Sequence, residues 1–327
     1  MKLLQALCDI TAPSGHEAAL HELIKSEIKD CVDEITTDAL GNLIAHKKGT
    51  GKRLMLAAHT DEIGLIVTYI EECGYIRVQN IGGVRPQYAL AQRVRFMNGT
   101  TGVVFYDQGK ELEKLGINDL YIDIGAKNKE EAAKQVQIGD VAGFLGAFTE
   151  QNGCIISKSL DDRAGCYVLI EALKRAKDTP NDIYAVFTAQ EELGLRGATA
   201  GAYSVDPDWG IAIDVTDTGD MIGTTPMEVK LGGGAAIKIK DSRSISSPKA
   251  VELLKSTAKA RGIPYQLEVL TRGGTDAGAI HLTRGGVASV TLSIPTRYIH
   301  SPGEMACKDD LEACIGLLTA VIEEQLD

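Results

Sequence analysis

Acidic and imidazole side chains recur where apolar segments of the chain end. A carboxylate can act as a general base or hold a cation, and an imidazole can do either. Imidazoles and carboxylates without thiolates suit zinc, cobalt or manganese, and they argue against calcium or an iron–sulfur cluster. The candidate residues stand at five places: His59 with Asp61, Asp161, Glu191 with Glu192, Asp214, and His300.

Each of these groups has an ordinary structural explanation when it is taken alone. An aspartate before a helix is usually an N-cap, and a pair of glutamates after a strand is usually part of a solvated turn. Together, however, they follow segments whose apolar composition places them deep in the fold, where charged residues are rare without a partner. Several carboxylates cannot stay ionised together there unless cations compensate them. The pattern therefore predicts a metal centre.

Four short apolar segments are predicted to be the buried strands that position these groups, at residues 53–58, 183–189, 209–213 and 287–294. Helical patterns alternate with them, at residues 163–176, 247–261 and 309 to about 324. This alternation predicts a layered α/β domain. Because ligand sites in such sheets lie beyond the carboxyl ends of the strands, the candidate residues should converge at one place.

Two other parts of the chain have patterns of their own. Apolar residues at helical spacing over residues 1–31 predict an opening helix, with Ser14 and Glu17 as its capping box. Short alternating strands at 75–78, 93–96, 102–106 and 139–144, with one polar helix near 129–136, distinguish residues 68–157 from the remainder. They predict a separate small β domain inserted into the first domain.

Composition narrows the classes of protein that remain. The formal net charge is -11, from 45 acidic and 34 basic residues, and this balance argues against a nucleic-acid partner. The seven cysteines are scattered and form no C-x-x-C pair, so neither a disulfide framework nor a thiolate zinc site is expected. No run of about 18 apolar residues occurs, so we expect a cytoplasmic protein without a membrane partner.

Six motifs, in one order, give the chain its resemblance to the M42 family of metallo-aminopeptidases, the glutamyl and tetrahedral aminopeptidase group. The resemblance runs over nearly the whole chain and implies an enzyme that removes N-terminal residues from peptides. The motifs are AAHTDEIG (57–64), SLDDRAG (159–165), TAQEELGLRGA (188–198), IDVTD (213–217), GGTDA (273–277) and RYIHSP (297–302).

By this resemblance the site holds two divalent metal ions, zinc or cobalt, with manganese as another possibility. Asp161 would bridge both ions, His59 and Asp214 would complete one site, and Glu192 and His300 would complete the other. The resemblance also implies a cis peptide bond between Asp161 and the next residue.

The catalytic residues that the resemblance implies are Glu191 and Asp61. Glu191 would be the general base, and a hydroxide bridging the two metals would attack the scissile carbonyl. Asp61 would orient His59, since a ligating imidazole usually donates its second N–H to a carboxylate or carbonyl.

The fold implied by the resemblance is a three-layer α/β/α catalytic domain, similar to zinc exopeptidases, formed by residues 1–67 and 158–327. The insert, residues 68–157, would be a small PDZ-like β-barrel through which chains dimerise. The dimers would then combine into a hollow tetrahedral dodecamer that admits only peptides.

Two glycine-rich stretches would form walls of the pocket for the N-terminal side chain, although simple turns would explain them equally well. Their candidate substrate-binding residues are Gly233, Gly273, Gly274 and Thr275. Arg272 and Lys230 nearby would favour an acidic side chain, but the sequence does not show that either points inward.

Three alternatives are open at this point. An M20-type carboxypeptidase or deacylase has similar ligand chemistry, but here the insert lies between the His59 and Asp161 motifs, as in M42. An endoglucanase could use paired carboxylates, yet adjacent residues of an extended segment point to opposite sides. The third alternative is a non-catalytic scaffold protein.

Overall fold

The computed structural model describes residues 1–177 and 179–327, and their strands form one 11-stranded sheet and one closed barrel. The strands are β1 Glu34–Thr37, β2 Leu43–Lys47, β3 Arg53–His59, β4 Gly64–Ile70, β5 Ile76–Ile81, β6 Arg93–Phe96, β7 Thr101–Tyr106, β8 Leu120–Asp123, β9 Val141–Phe144, β10 Thr149–Gln151, β11 Cys154–Ser157, β12 Asp182–Thr188, β13 Trp209–Thr216, β14 Ala235–Lys240, β15 Tyr265–Val269, β16 Ala288–Arg297 and β17 Glu304–Cys307.

Helices cover both the large sheet and parts of the barrel. They are α1 Lys2–Asp9, α2 Ala18–Ile28, α3 Pro86–Ala89, α4 Lys129–Ala133, α5 Leu160–Arg175, α6 Arg196–Val205, α7 Pro248–Arg261, α8 Ala277–Ile280 and α9 Lys308–Glu323, with short 3-10 helices at Leu112–Lys114 and Ile117–Asp119. Across the described parts of the chain, no helix combines the length and apolarity that crossing a membrane requires.

The centre of the large sheet consists of four parallel neighbours in the order β12, β3, β13 and β16. They include the four segments that the sequence predicts as buried strands, so those predictions are confirmed with small changes of boundary. Because the four strands are parallel, their carboxyl ends meet at one edge of the sheet. Strands β1 and β2 extend the sheet on one side, and β17, β11 and β10 extend it on the other.

Alternation along β3 shows how the three layers form. Leu54 and Leu56 point into the core shared with α1, α2, α5, α7 and α9, whereas Met55 and Ala57 pack with residues of α6 and α8. A strand buried on both faces must be apolar at nearly every position, and the segment from Leu54 to Ala58 satisfies this requirement. The fold is therefore α/β with helices on both faces of the sheet, as predicted.

The barrel closes in the order β4, β5, β8, β7, β6 and β9, and every neighbouring pair in it is antiparallel. It has its own apolar core, which includes Leu65, Val94, Phe96 and Ile122. Its strands run from Gly64 to Phe144, while β11 pairs with β17 in the large sheet and β10 pairs with β11 at the edge of that sheet. The division of the chain at residues 68 and 157 stays a prediction about domain boundaries.

The predicted capping box is wrong. Residues 1–31 contain two helices rather than one, and the N-cap of α2 is Glu17. Ser14 instead donates a hydrogen bond to the Asp61 carboxylate, at 2.6 Å. Glu17 accepts hydrogen bonds from the backbone N–H groups of Gly15 and Gln190. Both side chains thus form hydrogen bonds with residues distant in the sequence, and they form no capping box at the start of α2.

Candidate metal centre

The carboxyl edge of the central strands gathers the predicted site residues. His59 is the last residue of β3, and Asp214 lies near the end of β13. Glu191 and Glu192 follow β12, and His300 lies in the loop after β16. The structure therefore brings together residues that are far apart along the chain, because parallel strands end at a common edge.

Asp161 occupies the middle of this group. It lies in the first turn of α5, where its backbone is not helical, and the peptide bond between Asp161 and Asp162 is cis, as the resemblance implies. Its Oδ1 lies 2.9 Å from Nε2 of His59, and its Oδ2 lies 3.2 Å from Nε2 of His300. One carboxylate thus stands between two imidazoles.

Two overlapping sets of side chains could each hold a cation. The first is His59, Asp161 and Asp214, and the second is Asp161, Glu192 and His300; in each set the donor atoms lie within 4.8 Å of one another. A metal–ligand bond to nitrogen or oxygen is about 2.0–2.2 Å, so a single ion could contact all donors of a set after small adjustments. Because Asp161 belongs to both sets, the arrangement fits a pair of ions that share this carboxylate.

Asp61 holds three of these residues in position through hydrogen bonds. Its Oδ1 accepts the backbone N–H of Glu191 at 2.9 Å, and its Oδ2 accepts that of Glu192 at 3.1 Å. Nδ1 of His59 lies 3.1 Å from the carbonyl oxygen of Asp61 and 3.4 Å from its Oδ1. The carbonyl is therefore the nearer partner for His59, and the carboxylate fixes the segment that carries both glutamates.

Glu304 supports the candidate ligands on the opposite side of the site, and no pattern in the sequence indicates this role. Its Oε2 accepts the backbone N–H of Asp161 and its Oε1 accepts that of His300, both at 2.9 Å. His300 has φ 62°, a left-handed conformation that non-glycine residues rarely adopt without support. Glu304 is buried, so it holds two candidate ligands from separate segments in one arrangement.

The electrostatics of the site favour added positive charge. Burial raises the pKa of Glu191 and Asp214 well above their usual values, and nearby carboxylates add to this effect. Burial alone would lower the pKa of His59, but hydrogen bonds to Asp161 and Asp61, together with the negative charges of Glu191 and Asp161, raise that pKa well above its usual value. Carboxyl groups with raised pKa values beside imidazoles with raised pKa values are expected where a site is built to hold a cation. The donor set therefore fits divalent metal ions.

A cavity of about 510 Å³ opens directly over these side chains. Gly273, Gly274 and Thr275 line it, whereas Gly233 and Lys230 are not among its lining residues in the described chain. That these residues bind substrate stays a prediction. Arg272 also lines the cavity, but its guanidinium pairs with Asp217 at 2.8 Å. This pairing weakens the expectation that Arg272 selects an acidic side chain.

The barrel also reaches the site, through the loop between β5 and α3. A Cβ added at Gly83 would lie 2.4 Å from Nδ1 of His300, and one added at Gly82 would lie 2.8 Å from Oε2 of Glu192. Only glycine allows the backbone to approach these two side chains so closely. Such a contact between a loop and residues more than a hundred positions away has no signal in the sequence.

Imidazole and carboxylate donors gathered at the carboxyl edge of an α/β/α sheet fit a metal-dependent enzyme. The family model for the M42 glutamyl aminopeptidases matches residues 41–317. A protein of Acetivibrio thermocellus is 51% identical over 98% of this chain and 97% of its own length.

Solved structures agree with this match. An aminopeptidase of the archaeon Desulfurococcus kamchatkensis has a TM-score of 0.95 at 40% identity, covering 99% of this chain and 94% of the other. The TET1 peptidase of Pyrococcus horikoshii, which can assemble into a tetrahedron or a large octahedral shell, has a TM-score of 0.89 at 34% identity and 99% coverage of both chains. The chain therefore belongs to the M42 family, and it is an aminopeptidase.

Proposed function

We propose that this aminopeptidase works with two divalent cations, one held by His59, Asp161 and Asp214 and the other by Asp161, Glu192 and His300. The observation that carries the proposal is the Asp161 carboxylate lying between two imidazoles, at 2.9 and 3.2 Å. Zinc or cobalt suits these donors, and manganese is the third choice. When bound, the cations supply Lewis acidity, which makes a water molecule more acidic and polarises the scissile carbonyl.

Glu191 moves the proton in this proposal. Its side chain lines the cavity beside the candidate ligands, and its backbone is held by Asp61. Because Glu191 belongs to neither ligand set, its carboxylate is available to accept a proton from the attacking water. The same oxygen then returns the proton to the departing amine.

The cavity also fits a preference for free N-termini. A free α-amino group is a cation, and it would enter beside the carboxylate of Glu191, which belongs to neither ligand set. Asp61 keeps Glu191 and Glu192 in position by accepting their backbone N–H groups. Glu304 does the same for Asp161 and His300. Peptides with blocked N-termini lose this attraction.

Activity on aminoacyl reporter amides tests the proposed function. We expect the zinc- or cobalt-loaded enzyme to hydrolyse at least one of the glutamyl, leucyl and lysyl reporter amides, and to leave the matched N-acetyl reporters intact. Chelation should abolish turnover and added metal should restore it, since the buried carboxylates need compensation. The panel also includes an N-blocked peptide with a free C-terminus and a soluble β-glucan. Cleavage of either in place of the aminoacyl reporters would support the carboxypeptidase or endoglucanase alternative and overturn the proposal.

We further infer that the enzyme assembles through the barrel into dimers and then into a tetrahedral dodecamer. Several large apolar side chains are exposed in this part of the chain, as a contact between copies would require: Tyr69, Tyr75, Tyr88, Met97, Val103, Leu112 and Ile138. Light scattering of the metal-loaded protein should give a mass near twelve times the 34.9 kDa of one chain. A monomer at working concentration would contradict this inference.

We also infer a cytoplasmic location and peptides as the only class of partner besides further copies of the chain. The net charge of -11 disfavours nucleic acid, and all seven cysteines are free, as in a reducing compartment. Cell fractionation should recover the protein with the soluble cytoplasmic fraction. Recovery with membranes or in the medium would contradict the location.

A further inference from the structure

Two cysteines face each other across neighbouring antiparallel strands. In the register of β11 and β17, Cys154 is directly opposite Cys307. The N–H of Lys308 donates to the carbonyl of Gly153 at 3.0 Å, which makes those two residues a hydrogen-bonded pair and the cysteines the adjacent non-hydrogen-bonded pair. Opposite Cα atoms of such a pair lie about 4.5 Å apart, within the range of about 4.4–6.8 Å that a disulfide needs.

The two thiols also share an accessible face of the sheet. Ile155 and Ala306, the next pair along the ladder, are fully buried in the main core. Successive side chains of a strand point to opposite faces, so Cys154 and Cys307 point away from that core, and both are partly exposed. A small oxidant can therefore reach them, whereas Cys8, Cys166 and Cys314 are buried.

A positive group lies near one of the two sulfurs. The pKa of Arg297 is raised mainly by its hydrogen bond to Asp220, and negative charge at Cys154 contributes a smaller part. Arg297 is in turn the register partner of Met305, so this charge lies on a strand next to the cysteine ladder.

We propose that Cys154 and Cys307 form a reversible cross-strand disulfide when the protein meets hydrogen peroxide. The Cys154 thiolate attacks one peroxide oxygen, which gives a sulfenic acid and hydroxide. The Cys307 thiol then attacks the sulfenic sulfur, the S–S bond forms, and water leaves. Two thiols and one peroxide thus give one disulfide and two water molecules. Reduction by a dithiol reverses the modification.

The position of this pair relates it to the candidate metal centre. The β11–β17 ladder continues from the cysteines to its other end, where Ser157 is opposite Glu304. Cys307 is three positions from Glu304 along β17, a distance of about 10 Å along a strand. The disulfide would therefore crosslink the same pair of strands that presents Glu304 to Asp161 and His300.

The test uses the full chain in its native assembly. The reduced protein is treated with hydrogen peroxide, quenched with catalase, denatured and alkylated, and then digested without reductant. We expect two of the seven thiols to become resistant to alkylation, one peptide pair linked through Cys154 and Cys307, and recovery of both thiols with dithiothreitol. Alkylation and peptide mapping do not depend on enzyme activity, so their result tests the disulfide independently of the proposed function.

Matched variants complete the experiment. Cys154→Ser and Cys307→Ser should each abolish the linked peptide, whereas Cys31→Ser, at another partly exposed cysteine, should leave it unchanged. The proposal is overturned if all thiols of the oxidised protein remain alkylatable. It is also overturned if peroxide oxidises the exposed Cys73 or links separate chains while Cys154 and Cys307 stay free.

Discussion

Replacing Glu191 with glutamine should nearly abolish turnover while the enzyme keeps its metal. Glutamine preserves the shape of the side chain and the backbone contact with Asp61, but it cannot accept a proton from water. A positioned general base typically contributes about 100- to 10,000-fold to the rate, so kcat should fall by that order. The measurement is kcat beside metal content for the purified variant.

Glu192→Gln is the matched control, because it makes the same chemical change one residue away. Oε1 of Glu192 lies 3.4 Å from Nε2 of His300, within one of the two ligand sets. Its loss of charge should lower metal content directly, and excess metal should restore part of the activity. If Glu191→Gln lost metal and regained activity with excess zinc, the two glutamates would have to exchange roles.

Glu304→Gln should weaken metal binding although Glu304 belongs to neither ligand set. Each carboxylate oxygen accepts one backbone N–H, from Asp161 or from His300. Glutamine offers one oxygen and one NH₂ group, so one of the two N–H donors would face another donor. Loss of a residue that supports ligands typically lowers metal affinity about 10- to 100-fold. Titration against a chelating dye measures this affinity without relying on activity.

Asp310→Asn is the control that distinguishes a loss of support for the metal ligands from a general loss of fold stability. Asp310 is also a buried carboxylate that accepts two backbone N–H groups, from Gly232 and Gly234, each at 2.7 Å. The change should lower Tm in the same way as Glu304→Gln, but metal affinity should stay at the wild-type value. Equal losses of metal affinity in both variants would show that Glu304 acts only through the stability of the fold.

The central strands and the candidate ligands could be predicted because their signals are local. A strand such as β3 is buried on both faces and reads as an apolar run, and a polar group at its end stands out. Parallel strands then bring His59, Asp214 and the glutamates to one edge whatever the lengths of the intervening segments. Asp161 and His300 also stand out beside apolar segments, and the resemblance to the M42 family added the role of each residue.

The supporting contacts could not be predicted, since they depend on backbone groups that are distant in the sequence. The hydrogen bond from Asp161 to Glu304 spans 143 residues, and any residue other than proline at position 161 would offer the same N–H. Ser14 matched a capping pattern but donates to Asp61, 47 residues away. The short strand β15 lies at the end of a branch of the sheet, where a mostly unburied strand lacks a strong apolar pattern.

Anomalous diffraction from zinc-loaded crystals would locate the proposed cations directly. We expect two peaks per chain, on the order of 3.5–4 Å apart. One peak should contact His59 and Asp214, the other should contact Glu192 and His300, and both should contact Asp161. A fully loaded crystal with one peak per chain, or with its peaks away from Asp161, would show that these residues do not form a shared two-metal site.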